Sequence, residues 1–108
     1  MTATSDRPAY LLVQGTVTDR EGFQAYSAAL PPIYRKYGGE YLALVPAPQL
    51  EVLEGQAEMR SVVIARFPSK AAARAFWHSP EYTAAKSLRA GKGTFYVTLL
   101  DGLPPAAA

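Results

Sequence analysis

Residues 69–88 constrain the fold most, because two helix starts follow each other within this segment. Ser69 is a favoured helix N-cap and precedes apolar residues that recur at helical spacing. Ser79 is a second N-cap, Pro80 suits the first helical position, and Glu81 places an acid in the first turn. The segment therefore predicts one helix that ends near residue 78 and a second helix that begins at residue 80.

Most of the remaining patterns are those of β-strands. Apolar residues alternate with other residues in segments 10–18 and 95–100, and segment 61–67 is rich in β-branched residues. This composition predicts that segment 61–67 is a central strand. The predicted strands cover residues 10–18, 41–45, 50–54, 61–67 and 95–100.

A longer helix is predicted after the first strand. Asp19 is its N-cap, and apolar side chains then recur at steps of three and four residues. Pro31 and Pro32 interrupt this stripe, and each removes a backbone donor and crowds the preceding turn. We therefore expect a kink, or a break and restart, near Leu30. Gly38-Gly39 is predicted to end the helix.

The order of elements is β-α-β-(β)-β-α-β, which is typical of an α+β fold of the ferredoxin-like type. In such a fold the helices cover one face of an antiparallel sheet. A chain of 108 residues fits one domain. We predict this domain at residues 9–102, with flexible tails at residues 1–8 and 103–108. Within the domain, residues 55–58 are predicted to form a turn.

Both faces of the predicted sheet are partly apolar. Tyr10, Leu12 and Leu100 lie on the face opposite to the one that carries Val13 and Val97. Two helices can cover only one of these faces. The other face is therefore predicted to meet a second subunit, in a homodimer formed through the sheet.

Composition excludes several classes of function. The chain has no Cys, a single His and a net charge of +2 from scattered basic residues. Disulfides and Cys-ligated metals are excluded, and we expect no metal, no cofactor and no nucleic-acid partner. No segment approaches the roughly 18 apolar residues of a membrane span or resembles a signal peptide. We therefore expect a cytoplasmic protein without a membrane partner.

Six short motifs together resemble one bacterial family. They are Ala9-Tyr10-Leu11-Leu12-Val13, Val17-Thr18-Asp19, Tyr37-Gly38-Gly39, Glu51-Val52-Leu53-Glu54-Gly55, Phe67-Pro68-Ser69 and Trp77-His78-Ser79-Pro80-Glu81-Tyr82. With these motifs, from about residue 9 to residue 102, the chain resembles the family called domain of unknown function 1330. That family belongs to the dimeric α+β barrel superfamily, so the resemblance implies a ferredoxin-like protomer whose sheet packs on that of a partner.

The resemblance does not imply one activity. Related barrel families include cofactor-free monooxygenases, isomerases of muconolactone type, cyclases, haem proteins and plain ligand binders, and the fold alone does not choose among them. The haem branch fits least, because the single His lies at the predicted helix break. Pro31-Pro32 departs from the family pattern and is expected to reshape any pocket that the first helix lines.

His78 is the one side chain whose ordinary pKa allows easy proton exchange at neutral pH, so it is the candidate catalytic residue. It could act as a general base toward a carbonyl or phenol. The alternative is that His78 covers the last carbonyls of a helix, where the dipole favours a cation. Sequence favours the second interpretation, because a catalytic His needs a partner that sequence does not show.

The aromatic residues near the helix break are candidates for a binding pocket. Tyr hydroxyls need hydrogen-bond partners, so several Tyr beside one apolar space suit a polar aromatic ligand, although such residues at helical spacing more often form a core. Arg66 and Gln14 are polar residues within apolar strands, and a strand Arg can anchor a carboxylate. The candidate substrate-binding residues are Tyr26, Tyr34, Trp77, Tyr82, Arg66 and Gln14.

Two functions remain open on sequence. One is a small-molecule-binding homodimer that acts as a cofactor-independent enzyme, of isomerase, cyclase or monooxygenase type, on a hydrophobic or aromatic carbonyl compound. The other is a non-catalytic module that binds a ligand or another protein.

Overall fold

The computed structural model describes residues 7–55 and 60–104. The predicted turn at residues 55–58 and the predicted tails therefore lie largely outside the described residues. The strands are β1 (Ala9–Val17), β2 (Glu40–Val45), β3 (Ser61–Phe67) and β4 (Gly93–Asp101), and the helices are α1 (Arg20–Lys36), α2 (Lys70–Trp77) and α3 (Pro80–Lys86). Two single 3-10 turns occur at Ala47–Gln49 and Ser87–Arg89.

The four strands form one antiparallel sheet in the order β2-β3-β1-β4. The register places Leu11 of β1 between Ala65 of β3 and Leu99 of β4. All three residues face the helices and belong to the core or pack against it. This arrangement confirms the predicted α+β ferredoxin-like fold, with β3 as a central strand.

The predicted strand at residues 50–54 is wrong. After β2 the chain makes the 3-10 turn at Ala47–Gln49 and then runs without regular structure. Val52 and Leu53 are exposed by 45% and 86%. A strand requires hydrogen bonds to a neighbouring strand. Residues 50–54 have no such neighbour, because β2 pairs with β3 and no described segment pairs with residues 50–54.

Of the two outcomes expected at the prolines, the break and restart is wrong, because α1 continues from Arg20 to Lys36 with Pro31 and Pro32 inside it, and the kink stays a prediction. The two prolines leave the carbonyls of Ser27 and Ala28 without their helical donors, but both of these residues are exposed, so water can satisfy the carbonyls. Leu30 and Tyr34 are buried on either side of the prolines, and this packing holds the helix together.

The two predicted helix starts at residues 69–88 are confirmed. The Ser69 hydroxyl accepts a hydrogen bond from the backbone N–H of Ala72 at 3.1 Å. Ser79 is 4% exposed, and its hydroxyl accepts from the N–H of Tyr82 at 3.0 Å while it donates to the carbonyl of Phe76 at 2.7 Å. One buried hydroxyl therefore connects the end of α2 to the start of α3.

The face of the sheet opposite to the helices carries rows of side chains that run across the strands. One row contains Ile64, Leu12 and Thr98, and the next contains Val62, Gln14 and Tyr96. Tyr96 is 49% exposed, and Leu100, which pairs with Tyr10 in another row, is 41% exposed. We call this surface the open face. Its mixed apolar character was predicted from the alternation in β1 and β4.

Candidate functional site

A cavity of about 310 Å³ lies between the helices and the sheet. This volume reaches the lower end of the roughly 300–1,000 Å³ found for small-molecule sites. The sheet contributes Leu11, Val13, Val17, Val63, Phe95 and Val97 to its walls. Most of the lining side chains are aliphatic or aromatic, so the cavity suits a mainly apolar molecule.

Four of the predicted pocket residues line this cavity together: Tyr26, Tyr34, Trp77 and Tyr82. The apolar stripe of α1 supplies the first two, the last turn of α2 supplies Trp77, and the first turn of α3 supplies Tyr82. The rings of Trp77 and Tyr82 lie 4.9 Å apart, centroid to centroid. The break between α2 and α3 is therefore what brings both rings to one wall.

The polar groups of the cavity include a pair of tyrosine hydroxyls. The hydroxyl oxygens of Tyr26 and Tyr82 lie 2.9 Å apart and share a hydrogen bond. Burial raises the pKa of Tyr26 and of Tyr34 well above the ordinary value of 10.0, and it raises the pKa of Tyr41 to about 12. These hydroxyls stay protonated at neutral pH, so they can donate hydrogen bonds to a ligand but do not act as bases.

Arg89 is the one charged side chain that lines the cavity within the described part of the chain. Its guanidinium carbon lies 4.5 Å from the ring centroid of Phe95 and 5.5 Å from that of Tyr26. The sequence patterns do not mark Arg89 as a site residue. The 3-10 turn at Ser87–Arg89 carries the side chain to the cavity, and no local sequence signal distinguishes this turn from a further turn of α3.

A β-bulge in β2 brings both Tyr41 and Leu44 to the cavity wall, which strict alternation does not predict. The pairing of β2 with β3 shifts between Tyr41 and Ala43, so that Tyr41 pairs with Ala65 and Leu44 pairs with Val63. Tyr41 and Leu44 both line the cavity, although strict alternation places residues three apart on opposite faces.

His78 does not line the cavity. It is exposed at the C-cap of α2, where its backbone N–H donates to the carbonyl of Arg74 at 2.9 Å. The helix ends there because Ser79 and Pro80 start α3. The placement is the one expected of the helix-end interpretation, and it gives no support to His78 as a proton acceptor.

Glu81 forms its ion pair and its hydrogen bond with residues at the end of α1 and not with His78. It forms an ion pair with Lys36, and it accepts a hydrogen bond from the hydroxyl of Tyr37 at 2.9 Å. The hydrogen bond from Lys36 is the main cause that lowers the pKa of Glu81 from 4.5 to about 2. Glu81 therefore connects α3 to the end of α1 and is ionised at neutral pH.

Gln14 and Arg66 lie on the open face and not at the cavity. Gln14 alternates with the cavity residues Val13 and Gly15 along β1, so its side chain has the opposite direction. Arg66 forms an exposed ion pair with Glu40, with the two charged atoms 3.5 Å apart. The structure thus separates these two residues from the four aromatic ones with which sequence grouped them.

Residues 7–55 and 60–104 lack two further features. No group of three or more His, Asp or Glu side chains could hold a metal ion there. No helix in that part of the chain has both the length and the apolar character needed to cross a membrane.

Solved structures of several bacterial proteins share this fold. A protein of unknown function from Rhodopseudomonas palustris, RPA0582, aligns with a TM-score of 0.73 and 23% identity over 93% of this chain and 85% of that chain. SnoaB, a cofactor-independent oxygenase from Streptomyces nogalater, aligns with a TM-score of 0.62 and 15% identity over 90% of this chain and 94% of that chain. A putative antibiotic biosynthesis monooxygenase from Nitrosomonas europaea aligns with a TM-score of 0.60 and 12% identity over 98% of this chain and 100% of that chain.

None of the curated proteins matches the chain in sequence. The family described as domain of unknown function DUF1330 matches residues 8–103. That match spans nearly the whole chain, so the resemblance in the six motifs is confirmed. The chain belongs to the DUF1330 family, a family of uncharacterised function.

Proposed function

We propose that this protein binds a small hydrophobic or aromatic carbonyl compound in the cavity between its helices and its sheet. The observation that carries the proposal is the hydroxyl pair of Tyr26 and Tyr82 inside an otherwise mainly apolar cavity of about 310 Å³. One hydroxyl of the pair can turn its proton to the carbonyl oxygen of a ligand while the other remains hydrogen-bonded to it. The apolar walls would bury the rest of the molecule.

A cofactor-independent enzyme is the second candidate. The hydroxyls of Tyr26 and Tyr82 could stabilise negative charge that develops on a carbonyl oxygen, as in enolate formation. SnoaB, which shares the fold, is described as a cofactor-independent oxygenase. Within the described residues the cavity wall contains no His, Asp or Glu that could act as a base, so binding is better supported than catalysis.

We also propose that two protomers associate through their open faces. The support is the apolar content of a surface that no described helix covers, with Leu12 and Ile64 in its central row and Leu100 and Tyr96 exposed beside it. Apolar patches of this kind are typical of interfaces between subunits. The cavity lies on the other side of the sheet, so each protomer would keep its own binding site.

The binding proposal is tested by titrating the protein with 2-acetylnaphthalene, a neutral aromatic ketone, and measuring the fluorescence of Trp77. Trp77 is the single Trp of the chain and lines the cavity, so a ligand there should quench its emission in a saturable way. The double variant Tyr26→Phe/Tyr82→Phe removes both hydroxyls and leaves neither unpaired. Losing about 1 kcal/mol of hydrogen bonding should weaken affinity about fivefold.

Tyr96→Phe is the matched control, because it removes a hydroxyl from the open face. Its affinity should equal that of the wild type. If the wild type shows no saturable quenching, or if the double variant binds as tightly as the wild type, the proposed role of the cavity and of the hydroxyl pair is refuted.

A further inference from the structure

The cavity carries a positive charge that has no acidic partner in the described structure. The described ion pairs connect Lys36 to Glu81, Arg66 to Glu40, Lys70 to Asp101 and Lys92 to Asp19. Arg89 takes part in none of them. Its Nε is buried and has no hydrogen-bond partner among residues 7–55 and 60–104.

Burying such a donor is costly unless something bonds to it. A polar group that leaves water without a compensating hydrogen bond destabilises the protein, and a charged group does so more strongly. The neighbouring cavity wall is apolar, with Phe95 and Tyr26 against the guanidinium. A ligand in this cavity is therefore well placed to supply the missing acceptor.

The aromatic rings hold Arg89 in position before any ligand arrives. Its guanidinium carbon is 4.5 Å from the ring centroid of Phe95, and the ring of Phe95 stacks on that of Phe23 at 5.4 Å. The close approach of Phe95 depends on Gly15, because a Cβ at Gly15 would lie 2.6 Å from the Phe95 ring. A guanidinium held this way keeps its planar N–H groups oriented, and this arrangement suits bidentate binding of a carboxylate.

Arg89 also lies near the ring of Tyr26, which carries one hydroxyl of the pair. The 5.5 Å between its guanidinium carbon and the ring centroid of Tyr26 is short enough for one small molecule to contact both. Arg89 and Phe95 also line a second, more open depression beside the C-terminal end of α3. The cation thus lies between the interior cavity and the outside of the protein.

We propose that the natural ligand carries an oxyanion, such as a carboxylate, on its apolar or aromatic body, and that Arg89 binds this group. The inference rests on the proposed function, since it assigns the chemical class of a molecule at the same cavity. Among hydrophobic carbonyl compounds, we therefore expect those that also bear an acidic group to be the ligands.

The test compares two probes that share one ring system, 2-naphthoate and neutral 2-acetylnaphthalene, by quenching of Trp77. The wild type should bind the carboxylate at least tenfold more tightly than the ketone. Arg89→Met, which keeps an apolar stem of similar length, should lose this preference. Arg89→Lys should keep part of the preference, because it keeps the charge without the planar fork.

Arg74→Met is the control for general surface charge, since Arg74 is exposed on α2 and does not line the cavity. This variant should keep the full preference for the carboxylate. Equal affinity of the wild type for the two probes, or an undiminished preference in Arg89→Met, overturns the proposal about Arg89 and leaves the binding function standing. Absence of saturable quenching with both probes overturns the binding function itself.

Discussion

At the scale of single residues, Ser79 shows how one side chain can set the geometry of a cavity wall that it does not itself line. Its buried hydroxyl caps α3 through the N–H of Tyr82 and also donates to the carbonyl of Phe76 in α2. Trp77 and Tyr82, on either side of this junction, both line the cavity. The short connection between the helices therefore determines the distance between two wall residues.

Ser79→Ala is expected to lower the free energy of unfolding by about 1–2 kcal/mol, because it removes a helix cap and leaves a buried N–H unpaired. Chemical denaturation measures this loss. Ser87→Ala is the matched control, since the Ser87 hydroxyl makes a hydrogen bond of the same 2.7 Å length to the carbonyl of Ala84 but on the exposed surface. The control should change stability by less than about 0.5 kcal/mol. Equal effects of the two substitutions would contradict the role given to Ser79.

Sequence could predict the aromatic walls of the site but not the position of its charge. Tyr26, Tyr34, Trp77 and Tyr82 follow helical spacing, which depends only on local periodicity. The position of Arg89 depends on a 3-10 turn that follows α3 and on the ring of Phe95 from a strand further along the chain. Such contacts between distant segments leave no periodic trace in the sequence.

At the scale of elements, α1 tolerates two consecutive prolines, whose cost in isolation is large. A proline in a helix interior is about 3 kcal/mol less favourable than alanine. Pro31 lines the cavity, whereas Pro32 is exposed. The packing of Leu30 and Tyr34 into the core compensates for the lost hydrogen bonds.

Pro32→Ala should therefore stabilise the protein. The alanine restores a backbone donor for the carbonyl of Ala28 and removes the crowding, and the greater freedom of the unfolded chain subtracts about 0.4–1 kcal/mol from this gain. We expect a net increase of about 2 kcal/mol in the free energy of unfolding, measured by chemical denaturation.

Pro46→Ala provides a control of opposite sign, because Pro46 lies outside the helices in extended backbone. There the substitution only frees the unfolded chain, and it should lower stability by about 0.4–1 kcal/mol. A loss of stability in Pro32→Ala would show that the prolines do not strain α1.

The order of elements was largely predictable, because caps, glycine turns and alternation are local signals. The two errors have a common cause in tertiary structure. Residues 50–54 have a strand pattern but find no partner strand among the described residues, and α1 continues past Pro31 because its neighbours are buried in the core. Pairing and packing between distant segments decide both cases, and local sequence does not encode them.

At the scale of the whole molecule, the sheet separates two surfaces for which different roles are proposed. The helix side encloses the cavity, and the open face presents Leu12, Ile64 and their neighbours in rows fixed by the strand register. Successive side chains of each strand point alternately to these two surfaces. Association through the open face would therefore bury the second set of side chains without closing the cavity.

The proposed homodimer predicts that the wild-type protein has twice the mass of the chain in light scattering at micromolar concentration. Thr98→Glu should give a monomer, because Thr98 lies beside Leu12 in the register and is exposed in the protomer. A charge at this position costs the protomer little but would be buried without a partner in the interface. Leu12→Glu places a charge at the centre of the same row and should also give a monomer.

Ala28→Glu is the matched control, since Ala28 is exposed on α1, away from the open face. It should leave the dimer intact, and circular dichroism should show that all three variants are folded. A wild type that is monomeric at these concentrations refutes the dimer. A dimer that survives Thr98→Glu and Leu12→Glu in folded protein would place the interface on a surface other than the open face.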